Sequence, residues 1–300
     1  MLMKHKIVLL ITILIIAIAG FTVYATASPR VYNYKIYAVE YSFGVYPTQY
    51  FRYLYPYAGV TNVSSYILVI KGAPGGPIVV DMGFEPWVAD ILLPLQPPYA
   101  RYVAPAEALA NSGVVDPAEV KKVILTHMHW DHAGACYPPS EFPFPNAKFY
   151  IQEKEWETAM YTVLDDPWLL EHAYHLSSLT YTYFYRPAWL ALQDRVELVD
   201  GEVEIKPGIR VMRLGGHTPG HQIVIVSTKE GAAVISSDLL YFYFNLEEPW
   251  PIGWFWNLEE VRFGAHKIEE LATSGIIFAG HDPEVLERYP SGIEGVAVAP

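Results

Sequence analysis

From residue 60 onward the chain is built of short hydrophobic runs that stop at glycine or at polar residues. Tyr66-Ile67-Leu68-Val69-Ile70 closes at Gly72, Ile78-Val79-Val80 runs into Asp81-Met82-Gly83, and Val123-Ile124-Leu125 ends at Thr126. Continuous runs this short, rich in β-branched residues, predict strands buried on both faces. Residues 147–151, 196–198, 209–214, 223–227, 233–236 and 276–278 repeat the pattern, with turns at Gly201, Gly208 and Gly231. Nearer the start, alternation around Tyr32, Tyr34 and Ile36 predicts an edge strand broken at Gly44 and Pro47. Helices are expected over residues 106–110, after an Asp116-Pro117 start signal, over 153–164 with Trp156 and Met160 four apart, and over 258–272. Residues 165–195 are dense in aromatics, including Trp168, Tyr174, Tyr181, Phe184 and Trp189. The same strand pattern flanks them, so residues 153–195 read as a helical insertion within one domain. Strands and helices in this order predict an α/β fold of two sheets with helices outside.

The first residues follow another logic. Lys4 and Lys6 precede an aliphatic stretch from Ile7, and Ala25-Thr26-Ala27 is a small-x-small site. That layout predicts a secretory signal peptide over residues 1–27, or an uncleaved membrane tether through residues 7–23. Either places the domain over residues 28–300 outside the cytoplasm, secreted or membrane-anchored.

Composition narrows the chemistry. Hydrophobic residues are 52% and charged residues 17%, which suits a folded domain with a large core. The net charge of −12 argues against a nucleic-acid partner, since phosphate backbones need clustered positive charge. No phosphate-loop or dinucleotide-binding glycine motif is present. A single cysteine, Cys136, excludes an internal disulfide framework and a four-thiolate zinc site.

One heptad carries the strongest chemical signal: Thr126-His127-Met128-His129-Trp130-Asp131-His132, directly after a buried strand. His127 and His129, two apart in an extended loop, can turn their rings to one ion, and Asp131 and His132 can serve a second. Imidazole and carboxylate are what zinc takes where thiolates are lacking. Three further candidates each follow a predicted strand: His217 in Gly215-Gly216-His217-Thr218-Pro219-Gly220-His221, Asp238 after Ser236-Ser237, and His281 in Gly280-His281-Asp282. His221 reads as a turn or supporting residue. His5, His172, His175 and His266 read as ordinary histidines.

His127-x-His129-x-Asp131-His132, followed by His217, Asp238 and His281, resembles the metallo-β-lactamase superfamily, and Asp81 in Asp81-Met82-Gly83 resembles that family's early Asp-x-Gly element. The resemblance covers residues 60–285. It implies an αββα sandwich with two metal ions at one edge, zinc first, with iron, manganese or cobalt as alternatives. His127, His129 and His217 would hold one ion, Asp131, His132 and His281 the other, and Asp238 would bridge them. Asp238 stands where common zinc β-lactamases carry Cys or Ser, and His129 where flavo-diiron oxidases carry Glu. The spacing of His217, Asp238 and His281, with Tyr241 three residues past Asp238, resembles the N-acyl homoserine lactonases. Two features depart from compact lactonases: the long stretch between His132 and His217, and the export signal.

The resemblance therefore implies a metal-dependent hydrolase acting on a small-molecule lactone or ester, with Asp131 and Tyr241 as catalytic residues. A glyoxalase-II-like thioesterase is the alternative enzyme, although no basic cluster suited to an anionic thiol substrate is visible. A metal-binding module without activity is the alternative outside enzymes. The aromatic insertion, with Trp156, Trp168 and Trp189, and the nine tyrosines between residues 31 and 57 suit either a pocket for an acyl chain or packing, and the insertion also leaves a homodimer open.

Overall fold

Among the described residues thirteen strands form, most of them on the hydrophobic runs, and they sort into two sheets. The computed structural model describes residues 32–86, 101–136, 142–162, 186–247 and 250–300. The expected signal or tether over residues 1–27 lies outside the described residues, as do Trp168, His172 and His175 of the insertion. Among the described residues no helix is long and apolar enough to cross a membrane.

The first sheet contains β1 (Lys35–Pro47), β2 (Val60–Lys71), β3 (Ile78–Val80), β4 (Arg101–Tyr102), β5 (Lys122–Ile124), β6 (Lys148–Gln152), β7 (Val196–Val199) and β13 (Val296–Ala299). Its order is β13-β1-β2-β3-β5-β6-β7, with β4 alongside β1. The second contains β8 (Glu202–Lys206), β9 (Ile209–Arg213), β10 (Gln222–Thr228), β11 (Gly231–Ser237) and β12 (Ile277–Ala279), in the order β12-β11-β10-β9-β8.

The expected edge strand near Tyr34 is not at an edge. β1 pairs antiparallel with β2 on one side and with the C-terminal β13 on the other, so its backbone hydrogen bonds are taken up on both flanks. The pairing also carries β1 through Gly44 to Pro47. Three strands escaped the sequence reading, the first of them the two-residue β4. β8, Glu-Val-Glu-Ile-Lys, is a charged edge strand and shows no hydrophobic run, and β13 is a four-residue alternation at the chain end. The helix expected over 153–164 is α-helical over Glu153–Glu157 and continues as a wider π-turn over Thr158–Thr162.

Both faces of the central strands are covered. Val79 joins a core cluster with Leu109, Val123, Phe149 and Trp189, under the helix Pro105–Ser112, while its neighbours Ile78 and Val80 point to the opposite face and are equally buried. In the second sheet Ile223, Ile225 and Val234 pack with Val261 and Ile268 of the helix Leu258–Leu271, while Val224 and Val226 are buried on the other face. Each fully buried aliphatic side chain of this kind contributes about 1.5–3 kcal/mol. Asn257 caps the second helix by accepting from the Glu259 and Glu260 amides. Helix, sheet, sheet, helix is the αββα sandwich.

Trp156 and Trp189 belong to this core rather than to an open pocket. They meet edge to face at 6.4 Å, and the Trp189 indole donates to the Ala133 carbonyl.

Strand direction decides where the chemistry lies. β3 and β5 are parallel neighbours, so the turns after them, holding Asp81 and His127, emerge side by side. β10 is antiparallel to both β9 and β11, and β11 is parallel to β12. β9, β11 and β12 therefore run the same way, and the loops carrying His217, Asp238 and His281 leave one end of the sheet.

Candidate metal centre

The seven candidate donors come together. His127, His129, His217 and Asp238 form one group, and Asp131, His132, Asp238 and His281 a second, with the donor atoms of each group within 4.8 Å of one another. Asp238 belongs to both. Its Oδ1 lies 3.1 Å from His132 Nε2 and 3.2 Å from His281 Nε2, and its Oδ2 lies 3.4 Å from His217 Nε2 and 3.8 Å from His127 Nε2. Asp131 Oδ2 is 3.5 Å from His281 Nε2 and 3.6 Å from His132 Nε2.

Four rings have one nitrogen tied down and the other turned inward. His132 Nδ1 donates to Asp81 Oδ2 at 2.8 Å, His281 Nδ1 to the Ser64 carbonyl at 2.9 Å, and His217 Nδ1 to the Trp254 carbonyl at 2.9 Å. His127 Nδ1 lies 3.1 Å from the Thr126 hydroxyl, which donates in turn to Asp81 Oδ2 at 2.8 Å. The same hydroxyl is 2.9 Å from Ser237 Oγ, so one threonine links the rims of both sheets. Tying Nδ1 leaves the Nε2 lone pair free and fixes the ring, which is how ligating histidines are oriented. His129 Nδ1 faces His217 Nε2 at 2.9 Å.

The backbone is bent to achieve this. Asp81 and Ser237 adopt left-handed φ values of 63° and 47°, a costly conformation for residues other than glycine, and both sit under the cluster. Gly280 allows the last loop to approach, since a Cβ there would come within 2.9 Å of Asp238 Oδ1.

Electrostatics point the same way. Burial, followed by the neighbouring imidazoles, holds the His127 pKa well below the ordinary range, so its ring is neutral. Burial also acts downward on His132, but the carboxylates of Asp238, Asp131 and Asp81 outweigh it and leave that ring well above the ordinary range. Burial opposes ionisation of Asp238, yet His132 and His281 hold its carboxyl well below the usual range. The cluster thus draws positive charge into a buried space. Among the described residues His127 Nε2 is buried without a hydrogen-bond partner, and the buried His132 Nε2 and Asp238 Oδ1 face each other at 3.1 Å. Buried polar atoms of this kind are costly unless a ligand takes them up, and convergent imidazole and carboxylate donors suit zinc, iron, manganese or cobalt.

Tyr241 borders the cluster. Its hydroxyl is 3.3 Å from His217 Nδ1, and its ring stands 5.7 Å from the His281 ring. Burial, and then the charges of Asp238 and Asp131, keep the phenol pKa well above its ordinary value, so it remains a hydrogen-bond donor. Phe51 packs edge to face on Tyr241 at 5.6 Å, and Tyr50 lies 5.9 Å from Trp254, so part of the tyrosine-rich segment stands beside the centre.

His221 is in neither donor group. It is fully buried behind His127, ring centroids 5.1 Å apart, and its carbonyl closes the turn by accepting from the Leu214 and Gly215 amides. His266 is a surface residue 3.8 Å from Glu269. The sequence reading missed Glu155, Thr126, Ser237 and Trp254. Glu155 is buried, and its signal was weak: the helix start buries Glu155 and Trp156, and Ala159 and Met160 repeat that pair four residues on.

A family model described as the metallo-beta-lactamase superfamily matches residues 58–281. The chain is 28% identical over 171 residues to an N-acyl homoserine lactonase of Bacillus cereus, a match covering 56% of this chain and 58% of that protein. It is 29% identical over 227 residues to the N-acyl homoserine lactonase AttM of Azorhizobium caulinodans, covering 74% of this chain and 79% of that one. The match thus spans little more than half the length of the Bacillus relative. Among solved structures, the dizinc quorum-quenching lactonase AidC with a bound product superposes with a TM-score of 0.66 at 16% identity, covering 85% of this chain and 89% of that chain. An N-acyl homoserine lactone hydrolase with N-hexanoyl-L-homoserine at its metal centre superposes with a TM-score of 0.65 at 20% identity, covering 86% and 97%. At these identities the superpositions establish the fold.

Proposed function

The chain belongs to the metallo-beta-lactamase superfamily, and from that premise we propose that it is a dinuclear metal hydrolase that opens lactone rings, with N-acyl homoserine lactones as the preferred class. The observation that carries this reading is the pair of donor groups sharing Asp238 with Tyr241 at their border. The names of the relatives support the substrate class.

His127, His129 and His217 would hold one ion, Asp131, His132 and His281 the other, and Asp238 both. Two divalent ions there would lower the pKa of water towards neutral and polarise a carbonyl oxygen. The remaining chemistry falls to side chains. The Tyr241 phenol, kept protonated, donates a hydrogen bond to the oxygen that gains charge as the lactone carbonyl is attacked. A donor of this kind contributes about 2.7–4 kcal/mol in a favourable site. Asp131 has a side chain 16% exposed, against 4% for Asp238, so it faces the open side. There it takes the proton that the attacking water gives up and passes it to the ring oxygen as the C–O bond breaks. Phe51 and Tyr50, beside Tyr241 and Trp254, offer an apolar wall to the acyl chain.

The test is a substrate panel on metal-free protein reloaded with zinc or cobalt, reading ring opening by acid release. Metal-dependent opening of homoserine lactones is expected. Turnover of thioesters, sulfates or phosphodiesters alone would replace this reading with another hydrolase of the superfamily.

A further inference from the structure

We propose that Glu155 is a positioning residue for one half of the centre, fixing the distance between the loop of His127 and His129 and the loop of His217; this rests on the metal-binding reading above. Glu155 is buried, 3% exposed, on the helix Glu153–Glu157. Its Oε1 accepts from the Met128 amide at 2.9 Å, and Met128 lies between His127 and His129. Its Oε2 accepts from the Thr218 hydroxyl at 2.7 Å and from the Gly220 amide at 3.0 Å, just past His217. One carboxylate thus joins a loop from the first sheet to a loop from the second, an oxygen to each.

Burial raises the Glu155 pKa, and the three donors offset only part of that rise. A buried carboxylate held by neutral donors alone is expensive to place, and here each acceptor atom is used on a chain segment that carries candidate ligands. The approach is close enough that a Cβ at Gly220 would come within 2.2 Å of the Glu155 backbone nitrogen. The second donor group has its own holds: Asp81 grips His132, and the Ser64 carbonyl grips His281. Glu155 touches neither of those. It therefore acts on the ion that His127, His129 and His217 would hold.

Glu155→Gln tests this sharply, because an amide offers one acceptor oxygen and can satisfy only one of the two loops. Its NH2 group would face an N–H or O–H donor on the other. Thr218→Val removes a single donor, leaves the carboxylate in place, and serves if the first variant folds poorly. The full chain is loaded with zinc, both dissociation constants are read by chelator competition, and the cobalt-loaded protein is followed by its visible absorption bands. Glu155→Gln is expected to weaken one ion about tenfold or more and to shift one set of cobalt bands, leaving the other ion unchanged. Thr218→Val should produce a smaller loss at the same ion. Equal weakening of both ions overturns the proposal, as does no change at either ion in both variants. A wild-type chain that holds no metal overturns this proposal and the functional reading together. A chain that binds two ions and opens no lactone overturns only the functional reading.

Discussion

The turn at Asp81 and the helix at Glu155 each place a buried carboxylate against the donor cluster, and they act on it differently. Asp81 reaches rings: it accepts from His132 Nδ1 directly and meets His127 through the Thr126 hydroxyl, so it contributes to both donor groups. Glu155 reaches backbone amides and one threonine, and touches no ring of the cluster. The first sets how rings are oriented, the second how far apart two loops stand. A centre assembled from the ends of two sheets needs both, because ring orientation cannot correct a loop held in the wrong place.

The largest expected effect comes from removing what both supports serve. Asp238→Ala should strip metal from both groups and lower lactone turnover by about 10³-fold or more, read by metal analysis beside a rate assay. Retention of one ion at full affinity would show that the two groups are independent. Tyr241→Phe separates holding from chemistry. Turnover should fall about 10²-fold with metal content and cobalt spectrum unchanged, and metal loss would reassign the phenol to support. Asp81→Asn should weaken both ions by about 10–100-fold, unlike the one-sided effect expected at Glu155. A one-sided result at Asp81 would dissolve the contrast. The smallest effect belongs to Cys136, which serves as a control for folding. It is free and buried, and burial holds its thiol pKa well above the usual range. Alkylation by iodoacetamide should be negligible in the native protein and fast in denaturant. The same protection in Asp81→Asn would confirm that any metal loss is local.

Much of this was readable before any fold was known. Runs such as Ile78-Val79-Val80 and Val123-Ile124-Leu125 could be buried strands, and histidines and aspartates placed just past such strands marked the candidate donors. Elements without that contrast stayed hidden. The charged strand β8 and the four-residue β13 have no hydrophobic run to announce them, and β13 is what turned the expected edge at β1 into an interior position. Glu155 stands in Glu153-Lys154-Glu155-Trp156-Glu157, which reads as a solvated helix start, although the fold buries that one carboxylate.

The amino-acid order alone determined which residues have the chemistry to bind a metal and that each follows a strand, because local hydrophobicity and side-chain type are properties of the chain itself. Convergence was decided only by the tertiary structure. β9, β11 and β12 had to run in one direction, and two sheets had to stack before His217, Asp238 and His281 could face His127. Those directions follow from pairings between segments up to scores of residues apart, which no local pattern encodes.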